Sequence, residues 1–184
     1  ENAWLAWFIL GSPLIAFVIV GLLGRWLPEG GAHVVVGSLA VSLLLSVYFL
    51  VQVLQAGAIG APIEETVKGF TWIPGDPATG EGAIGFALLI DNLSALLLVL
   101  VSFLSMLIAI YSIGYMHEES GKPRYYAEIA LFVAGMLGTV SADNFLQLLI
   151  FWEIMGLCAY LLIGFWYHKP EAASAAKKAF LVTR

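Results

Sequence analysis

The chain has 184 residues, of which 61% are hydrophobic and 11% are charged, and its formal net charge is −5. A soluble domain carries about 25% charged residues, so this composition excludes an ordinary water-soluble domain and predicts an integral membrane protein. A nucleic-acid-binding protein is excluded as well, because the sequence has no stripe of basic residues.

Long apolar runs predict five membrane-crossing helices and the beginning of a sixth. A helix needs about 20 mostly apolar residues to cross the hydrocarbon layer. The first run lacks a basic leader and is long enough to span, so we expect a helix there rather than a cleavable signal peptide. The predicted spans are residues 2–24, 33–56, 92–116, 125–142 and 144–167, with a sixth helix over 170–184. The predicted fold is an all-α, polytopic transmembrane helix bundle that forms one membrane domain, residues 1–184.

The distribution of Lys and Arg among the predicted loops indicates the orientation. Basic residues collect on the cytoplasmic side of membrane proteins. The loops after the first, third and fifth spans carry Arg25, Lys122, Arg124, Lys169, Lys177 and Lys178. The loop after the second span carries Lys68 against Glu64, Glu65, Asp76 and Glu81. The pattern predicts that the N-terminus faces outside.

The longest predicted loop, residues 57–85, contains the signal of a β-hairpin. Two β-leaning segments, TVKGFTWI and AIGFALLI, flank a Gly/Pro cluster, PGDPATGEG. Apolar and β-branched runs on either side of a turn cluster are typical of two paired strands. We therefore expect an extracytoplasmic hairpin, which could lie against a neighbouring subunit.

Glu153 is the strongest candidate for a functional residue. It is the one formal charge in the run from Asn144 to His168, and it lies about 15 Å along the helix from Asp143. Placing an acidic side chain near the bilayer middle costs roughly 2.5–3.5 kcal/mol on insertion scales, so an intramembrane acid usually handles protons or ions. The alternative is a static structural acid. Gly156, on the same helix face, would let a neighbouring helix approach closely.

Four further ionisable residues are candidates for a proton path. Glu128 follows YYA in the first turn of the predicted fourth span, which favours an interfacial acid, with proton entry as the alternative. Arg184 falls inside the predicted sixth helix, where a buried arginine needs a carboxylate or carbonyl partner. Lys177 and Lys178 are possible members of the same path, and ordinary positive-inside anchors otherwise.

The remaining polar residues favour structural roles. Asp91 and Asp143 each precede an Asn at the start of a predicted helix, so we expect both to cap helix N-termini. His33, His117 and His168 fall at span ends without metal-ligand spacing, and Cys158, the single cysteine, excludes an internal disulfide. No phosphate-binding loop, nucleophile elbow or CxxC pair is present, so we expect no metal, flavin, haem or iron–sulfur cluster in this chain.

Residues 86–184 resemble a known family. The stretch IDNLSALLLVLVSFLSMLIAIYSIGYM, with FWE, GLCAYLLIGFW and AAKKAFLVTR further on, is similar to the antiporter-like subunit L of proton-pumping NADH–quinone oxidoreductase. That subunit corresponds to chain 5 of mitochondrial complex I. Residues 1–85 fit this family in topology more than in motif.

The resemblance implies a function and the roles of several residues. Glu153 matches the family's helix 5 glutamate, which pairs with a lysine on a broken helix 7, and Arg184 matches its helix 6 arginine. Asp91 matches the aspartate of a DGLS-like motif, here followed by Asn92, and Asp143 matches the ADN motif. Glu128 stands where the family has an apolar residue or tyrosine, so no family role transfers to it.

The resemblance also implies the setting of the chain. It would be an N-terminal fragment of a multi-pass subunit that lies beside another antiporter-like subunit. The resemblance favours a bacterial plasma membrane over a mitochondrial inner membrane. NADH, FMN, iron–sulfur clusters and quinone would then be bound by partner subunits. The alternatives are the A subunit of a multisubunit Na⁺/H⁺ antiporter or a membrane-bound hydrogenase relative, a non-catalytic membrane scaffold, and an inactive fragment.

Overall fold

The computed structural model describes residues 3–58, 65–75 and 82–183. Its helices are α1 (Ala6–Leu23), α2 (Ala32–Ala58), α3 (Asn92–Tyr115), α4 (Lys122–Val140), α5 (Phe145–Ile163) and α6 (Pro170–Thr183). Two strands, β1 (Glu65–Ile73) and β2 (Ile84–Ile90), lie between α2 and α3, and short 3-10 turns precede α1 and α2. The predicted helix bundle is confirmed, with helix ends that shift by a few residues.

Among the described residues, four helical segments are long and apolar enough to cross a membrane. They are Ala6–Leu23, Pro28–Ala56, Asn92–Tyr115 and Phe145–Ile163. The fourth predicted span corresponds to α4, which has 19 residues but begins with KPRYYAE and is less apolar. That α4 also crosses the membrane stays a prediction.

Helix α4 is the most enclosed helix of this bundle. It packs against α1, α3 and α5, and α2 packs against α1 and α3. Small residues on α4 allow this close packing, among them Ala127, Ala130, Ala134, Gly135 and Gly138, all of them buried. Small side chains are the usual means by which membrane helices approach one another, because lipid supplies no hydrophobic force between them. Helix α5 buries a narrower stripe, of which Gln147, Phe151 and Cys158 are the buried residues.

Serine hydroxyls connect α1, α2 and α3 inside the apolar bundle. The Oγ atoms of Ser12 and Ser42 lie 2.8 Å apart, and Ser42 donates to the Ile9 carbonyl at 2.8 Å. Ser46 donates to the Ser42 carbonyl at 2.7 Å, and its Oγ lies 3.4 Å from that of Ser102. Each hydroxyl therefore has a partner where water is excluded, and the chain of hydrogen bonds joins three helices.

The two predicted strands form an antiparallel pair. The register runs from Glu65 opposite Ile90 to Ile73 opposite Ile84, with irregularities near Gly69 and Trp72. A Cβ at position 69 would overlap the Trp7 ring, so only glycine permits this approach. Part of the predicted turn cluster and the start of the loop, residues 76–81 and 59–64, lie outside the described residues. The side of the membrane on which the hairpin lies stays a prediction.

The two predicted helix caps have different outcomes. Asp91 Oδ1 accepts a hydrogen bond from the Ser94 amide at 2.6 Å, and Ser94 Oγ accepts one from the Asp91 amide at 2.7 Å, which confirms the cap. The prediction that Asp143 caps a helix is wrong. Helix α5 begins one residue later than predicted, so the capping position falls on Asn144, whose Oδ1 accepts from the Gln147 amide at 2.9 Å. Asp143 itself is exposed.

The loops that follow α1 and α3 meet at one end of the bundle. Glu29 has a left-handed backbone (φ 52°), and its Oε2 accepts a hydrogen bond from Lys122 Nζ at 3.3 Å. His117 Nδ1 lies 3.6 Å from the same oxygen. Lys122 holds the pKa of the Glu29 carboxyl below its ordinary value, mainly through this hydrogen bond. The contact places these two basic loops on the same side of the bundle, as the predicted topology requires.

Candidate functional site

The close contact between α4 and α5 positions the middle of α5. A Cβ on Gly138 would overlap the Phe151 ring, and a Cβ on Gly135 would lie 3.3 Å from the Met155 amide nitrogen. The two helices therefore approach closely at Phe151 and Met155, which lie two residues before and two residues after Glu153. This contact positions the part of α5 that carries Glu153 against α4.

Glu153 lies near the middle of α5. It is eight residues, or about 12 Å, past the first residue of this helix, and its side chain is half-buried within the bundle. Leu149, one turn earlier, is exposed. No described atom lies within 4 Å of a Cβ built on Gly156, so this stretch of the face is open within the part of the chain that the structure describes. The predicted close approach of a neighbouring helix at Gly156 therefore stays a prediction.

A cleft lies two turns further along α5, where α4, α5 and α6 meet. It is lined by Arg124, Tyr160, Leu161, Gly164, Tyr167, Ala173, Ala176 and Lys177, with a volume of about 280 Å³. The Tyr160 ring packs against Phe180 of α6 at 5.3 Å between centroids. Tyr160 is seven residues after Glu153, so it lies on the same face of α5, about 10 Å away. The cleft brings Lys177 to the α5 face that carries Glu153.

The other candidates on α6 are not all brought to this cleft. Lys178 is exposed and does not line it. Arg184 lies outside the described residues, so its predicted role stays a prediction. Pro170 and Glu171 occupy the first turn of α6, where a fixed φ and a negative charge both favour a helix start.

Glu128 is more enclosed than the sequence predicts. Helix α4 begins at Lys122, three residues before the predicted start, so Glu128 falls in the second turn and is 7% exposed. Arg124 Nε donates a hydrogen bond to Glu128 Oε1 at 2.6 Å. Oε2 is buried and has no hydrogen-bond partner among the described residues. The carboxyl also lies within Coulombic range of Cys158 on α5.

Two residues of this region were missed from sequence. Arg124 was assigned only to the positive-inside count, although its i,i+4 spacing to Glu128 is the usual signal of an ion pair on a helix. The other residue is Tyr160. Its position in the cleft depends on how α6 folds back on α5, which no local pattern reveals.

The chemistry that these residues support is proton transfer. Carboxyl, phenol, amine and thiol groups can each bind and release a proton. Within residues 3–58, 65–75 and 82–183, no group of three or more His, Cys, Asp and Glu side chains is arranged to hold a metal ion.

Two family models match the chain. The model described as NADH-ubiquinone oxidoreductase (complex I), chain 5 N-terminus, matches residues 77–126. The model described as NADH:quinone oxidoreductase/Mrp antiporter, TM, matches residues 142–184. The second match includes Glu153, Tyr160 and Lys177, and Glu128 lies between the two.

Curated relatives match nearly the whole chain. The F(420)H(2) dehydrogenase subunit L of Methanosarcina mazei is 45% identical over 172 residues, which are 94% of this chain and 24% of that protein. The NADH-quinone oxidoreductase subunit L of Mycobacterium tuberculosis is 39% identical over 97% of this chain and 27% of that protein. The chain thus spans about a quarter of the length of these relatives.

Two solved structures share the fold. The membrane-bound sulfane sulfur reductase, an archaeal respiratory membrane complex, has a TM-score of 0.77 at 24% identity, covering 96% of this chain and 33% of the compared chain. The Mrp complex from Dietzia sp. has a TM-score of 0.71 at 24% identity, covering 96% of this chain and 17% of the compared one.

Proposed function

Because this chain belongs to the family of antiporter-like membrane subunits that includes subunit L of NADH–quinone oxidoreductase, we propose that it forms the N-terminal part of a proton-translocating subunit. Glu153 is the residue that binds the translocated proton. The complex around it reduces quinone with electrons from NADH, and the FMN, iron–sulfur clusters and quinone are bound by partner subunits. The chain lies in a bacterial plasma membrane with its N-terminus outside.

The position of Glu153 is the observation that carries this proposal. The carboxyl group of Glu153 lies in the middle of the apolar helix α5, whose close contacts with α4 involve Gly135, Gly138 and Phe151. An ionisable residue at that depth is costly, and it is usually retained because it takes part in transport. The cleft that Arg124, Tyr160 and Lys177 help to line supports a proton route from the side of the basic loops.

The proposed mechanism works through the charge that faces Glu153. A cation that approaches the carboxylate favours its charged form, and withdrawal of the cation favours proton binding. In the family this cation is a lysine on helix 7, which is not part of these 184 residues. At 4 Å and an effective dielectric constant of 20, one pair interacts by about 4 kcal/mol. Moving a proton against 100 mV costs about 2.3 kcal/mol, so the magnitudes are compatible.

The test is Glu153→Gln in the full-length subunit within its native complex. We expect the complex to assemble, because glutamine keeps the shape of the side chain, and we expect proton uptake coupled to quinone reduction in sealed vesicles to fall by about a hundredfold, the lower end for a lost acid–base group. Asp143→Asn is the matched control. It removes the same charge from an exposed position at the start of the same helix, and it should pump like the parent.

Assembly and pumping equal to the parent in Glu153→Gln would show that Glu153 is a structural acid. Loss of assembly alone leaves the scaffold alternative, which Glu153→Asp then decides. Aspartate retains a titratable group, so a proton-binding role predicts partial pumping from this variant, and a purely structural role predicts the same defect as glutamine.

A second candidate function is that of the A subunit of a multisubunit Na⁺/H⁺ antiporter. The family model that matches residues 142–184 includes Mrp antiporters, and the Mrp complex shares the fold. This candidate predicts that proton movement depends on Na⁺ and continues without NADH or quinone. Vesicles that are assayed with and without Na⁺, and with and without NADH, separate the two functions.

A further inference from the structure

We propose that Glu128 is a second proton-binding residue of this chain, and that Arg124 controls its access to the cleft between α4, α5 and α6. This inference rests on the proposed function only in that the proton bound there is one that the subunit transports.

The two oxygens of the Glu128 carboxyl have different surroundings. Oε1 accepts a hydrogen bond from Arg124 Nε at 2.6 Å, whereas Oε2 is buried without a hydrogen-bond partner in the described part of the chain. A buried carboxylate oxygen without a donor is costly, and binding a proton at that oxygen removes the negative charge. An arginine can engage a carboxylate through two parallel hydrogen bonds. Here it engages only one.

The elements near Glu128 differ in the titratable and charged groups that they carry. Helix α1 carries no titratable side chain at all. Helix α3 carries Tyr111 and Tyr115, and the turn Pro28–Gly31 carries Glu29, which is bound to Lys122. Helix α5 carries Cys158, which is within Coulombic range of Glu128, together with Glu153 and Tyr160. On α4 itself Lys122, Arg124, Tyr125 and Tyr126 are the other such groups. Arg124 is thus the cation that bonds directly to the carboxyl.

Arg124 is much more exposed than Glu128. Its side chain is 45% exposed, while that of Glu128 is 9% exposed, so the pair joins a solvent-facing end to a buried one. The guanidinium lies 5.9 Å from the centroid of the Phe165 ring, and it lines the cleft that also contains Tyr160 and Lys177. Its position over an aromatic face gives it a second favourable contact near the carboxyl. The arginine can therefore leave Oε1 while it keeps its contact with Phe165 and its exposure to solvent.

Proton binding at Glu128 conserves atoms and charge. A hydronium ion from the cleft gives its proton to Oε2, an O–H bond forms, a water molecule is left, and the carboxyl becomes neutral. Arg124 keeps its own charge and protons throughout. Release is the reverse, with a water molecule or the Glu153 carboxylate, through bridging groups, as the acceptor. No oxidant or reductant is needed.

The direct test uses dicyclohexylcarbodiimide, a probe that reacts with protonated carboxyl groups in apolar surroundings. The assembled native complex is treated over a range of pH, and labelled peptides are quantified by mass spectrometry. We expect label on Glu128 that increases as the pH falls. In Arg124→Gln the labelling should extend about one pH unit or more higher, because the cation that favours the carboxylate is gone. Absence of label at every pH in the assembled complex would overturn the proposal.

The functional test compares Glu128→Gln with Glu118→Gln, which removes an exposed glutamate from the loop before α4. We expect Glu128→Gln to lower the initial rate of proton uptake about a hundredfold and to flatten its pH dependence, at the low end of the effect of a lost proton-transfer group. Glu118→Gln should match the parent. If Glu128→Gln fails to assemble, Glu128→Asp replaces it, and restored pH-dependent uptake supports the proposal. Uptake with the parental pH profile in an assembled Glu128→Gln complex would contradict it.

The outcomes for the two carboxyl groups are separable. If Glu153→Gln pumps normally while Glu128 is labelled and its variant is impaired, the proposed role of Glu153 is wrong and that of Glu128 stands. If Glu153→Gln abolishes pumping while Glu128 takes no label, the reverse holds.

Discussion

The Asn144 side chain joins helix α5 to strand β2. Its Nδ2 donates a hydrogen bond to the Gly85 carbonyl at 2.8 Å, and its Oδ1 accepts one from the Gln147 amide at 2.9 Å. Gln147 Oε1 then accepts a hydrogen bond from the Ala87 amide at 3.2 Å. The first turn of the helix that carries Glu153 is thereby attached to the hairpin.

Asn144→Ala should loosen both the helix and the hairpin. We expect a loss of about 1–2 kcal/mol, because an N-terminal cap and a hydrogen bond to the backbone disappear together. The measurement is thermal unfolding of the purified full-length subunit in detergent, together with hydrogen exchange of residues 84–90. Asn92→Ala is the control, since Asn92 is exposed and follows the capping residue of α3. Equal effects of the two substitutions would show that the Asn144 link is unimportant.

Gly138→Leu should disrupt the α4–α5 contact. A Cβ at this position overlaps the Phe151 ring, and the larger side chain has no space between two closely packed helices. We expect loss of assembly of the complex, measured by native gel electrophoresis. Gly37→Leu, in α2, is the control, since no described atom lies within 4 Å of its Cβ. Phe151→Ala combined with Gly138→Leu should recover part of the assembly if the ring is the obstacle.

The sequence predicted the helices well, and the roles of the site residues stay predictions. Long apolar runs and loop residues locate α1, α2, α3 and α5, because a membrane span needs a minimum length of apolar chain. The Asp91 cap followed from local spacing. The burial of Glu128 did not follow from local spacing, because it depends on the three helices around α4 rather than on the sequence of α4 itself. The preference for Asn144 over Asp143 depended on a one-residue shift in where α5 begins, which sequence patterns rarely resolve.

Ser42→Ala should weaken the contact between α1 and α2. Ser42 Oγ contacts Ser12 Oγ and the Ile9 carbonyl, each at 2.8 Å. Hydrogen bonds between membrane helices are worth about 0.6 kcal/mol on average and up to about 1.7, so we expect a loss of roughly 1 kcal/mol. Unfolding of the full-length subunit in a denaturing detergent measures it. Ser174→Ala on exposed α6 surface is the control, and an effect as large there would contradict the helix-joining role.

The Asp91 cap should make stability depend on pH in the acidic range. The Ser94 amide hydrogen bond holds the pKa of Asp91 below its ordinary value of 3.8. A carboxyl whose pKa is lower in the folded state stabilises fully above the pKa of the unfolded chain, and this contribution is lost as the pH falls through the folded pKa. Asp91→Asn keeps a side-chain oxygen for the cap but does not titrate. The difference in unfolding free energy between parent and variant should therefore be constant above about pH 5 and shrink as the pH falls below the ordinary pKa. Detergent unfolding of the full-length subunit at a series of pH values measures this difference, and a difference that grows as the pH falls would mean that the sign of the linkage is wrong.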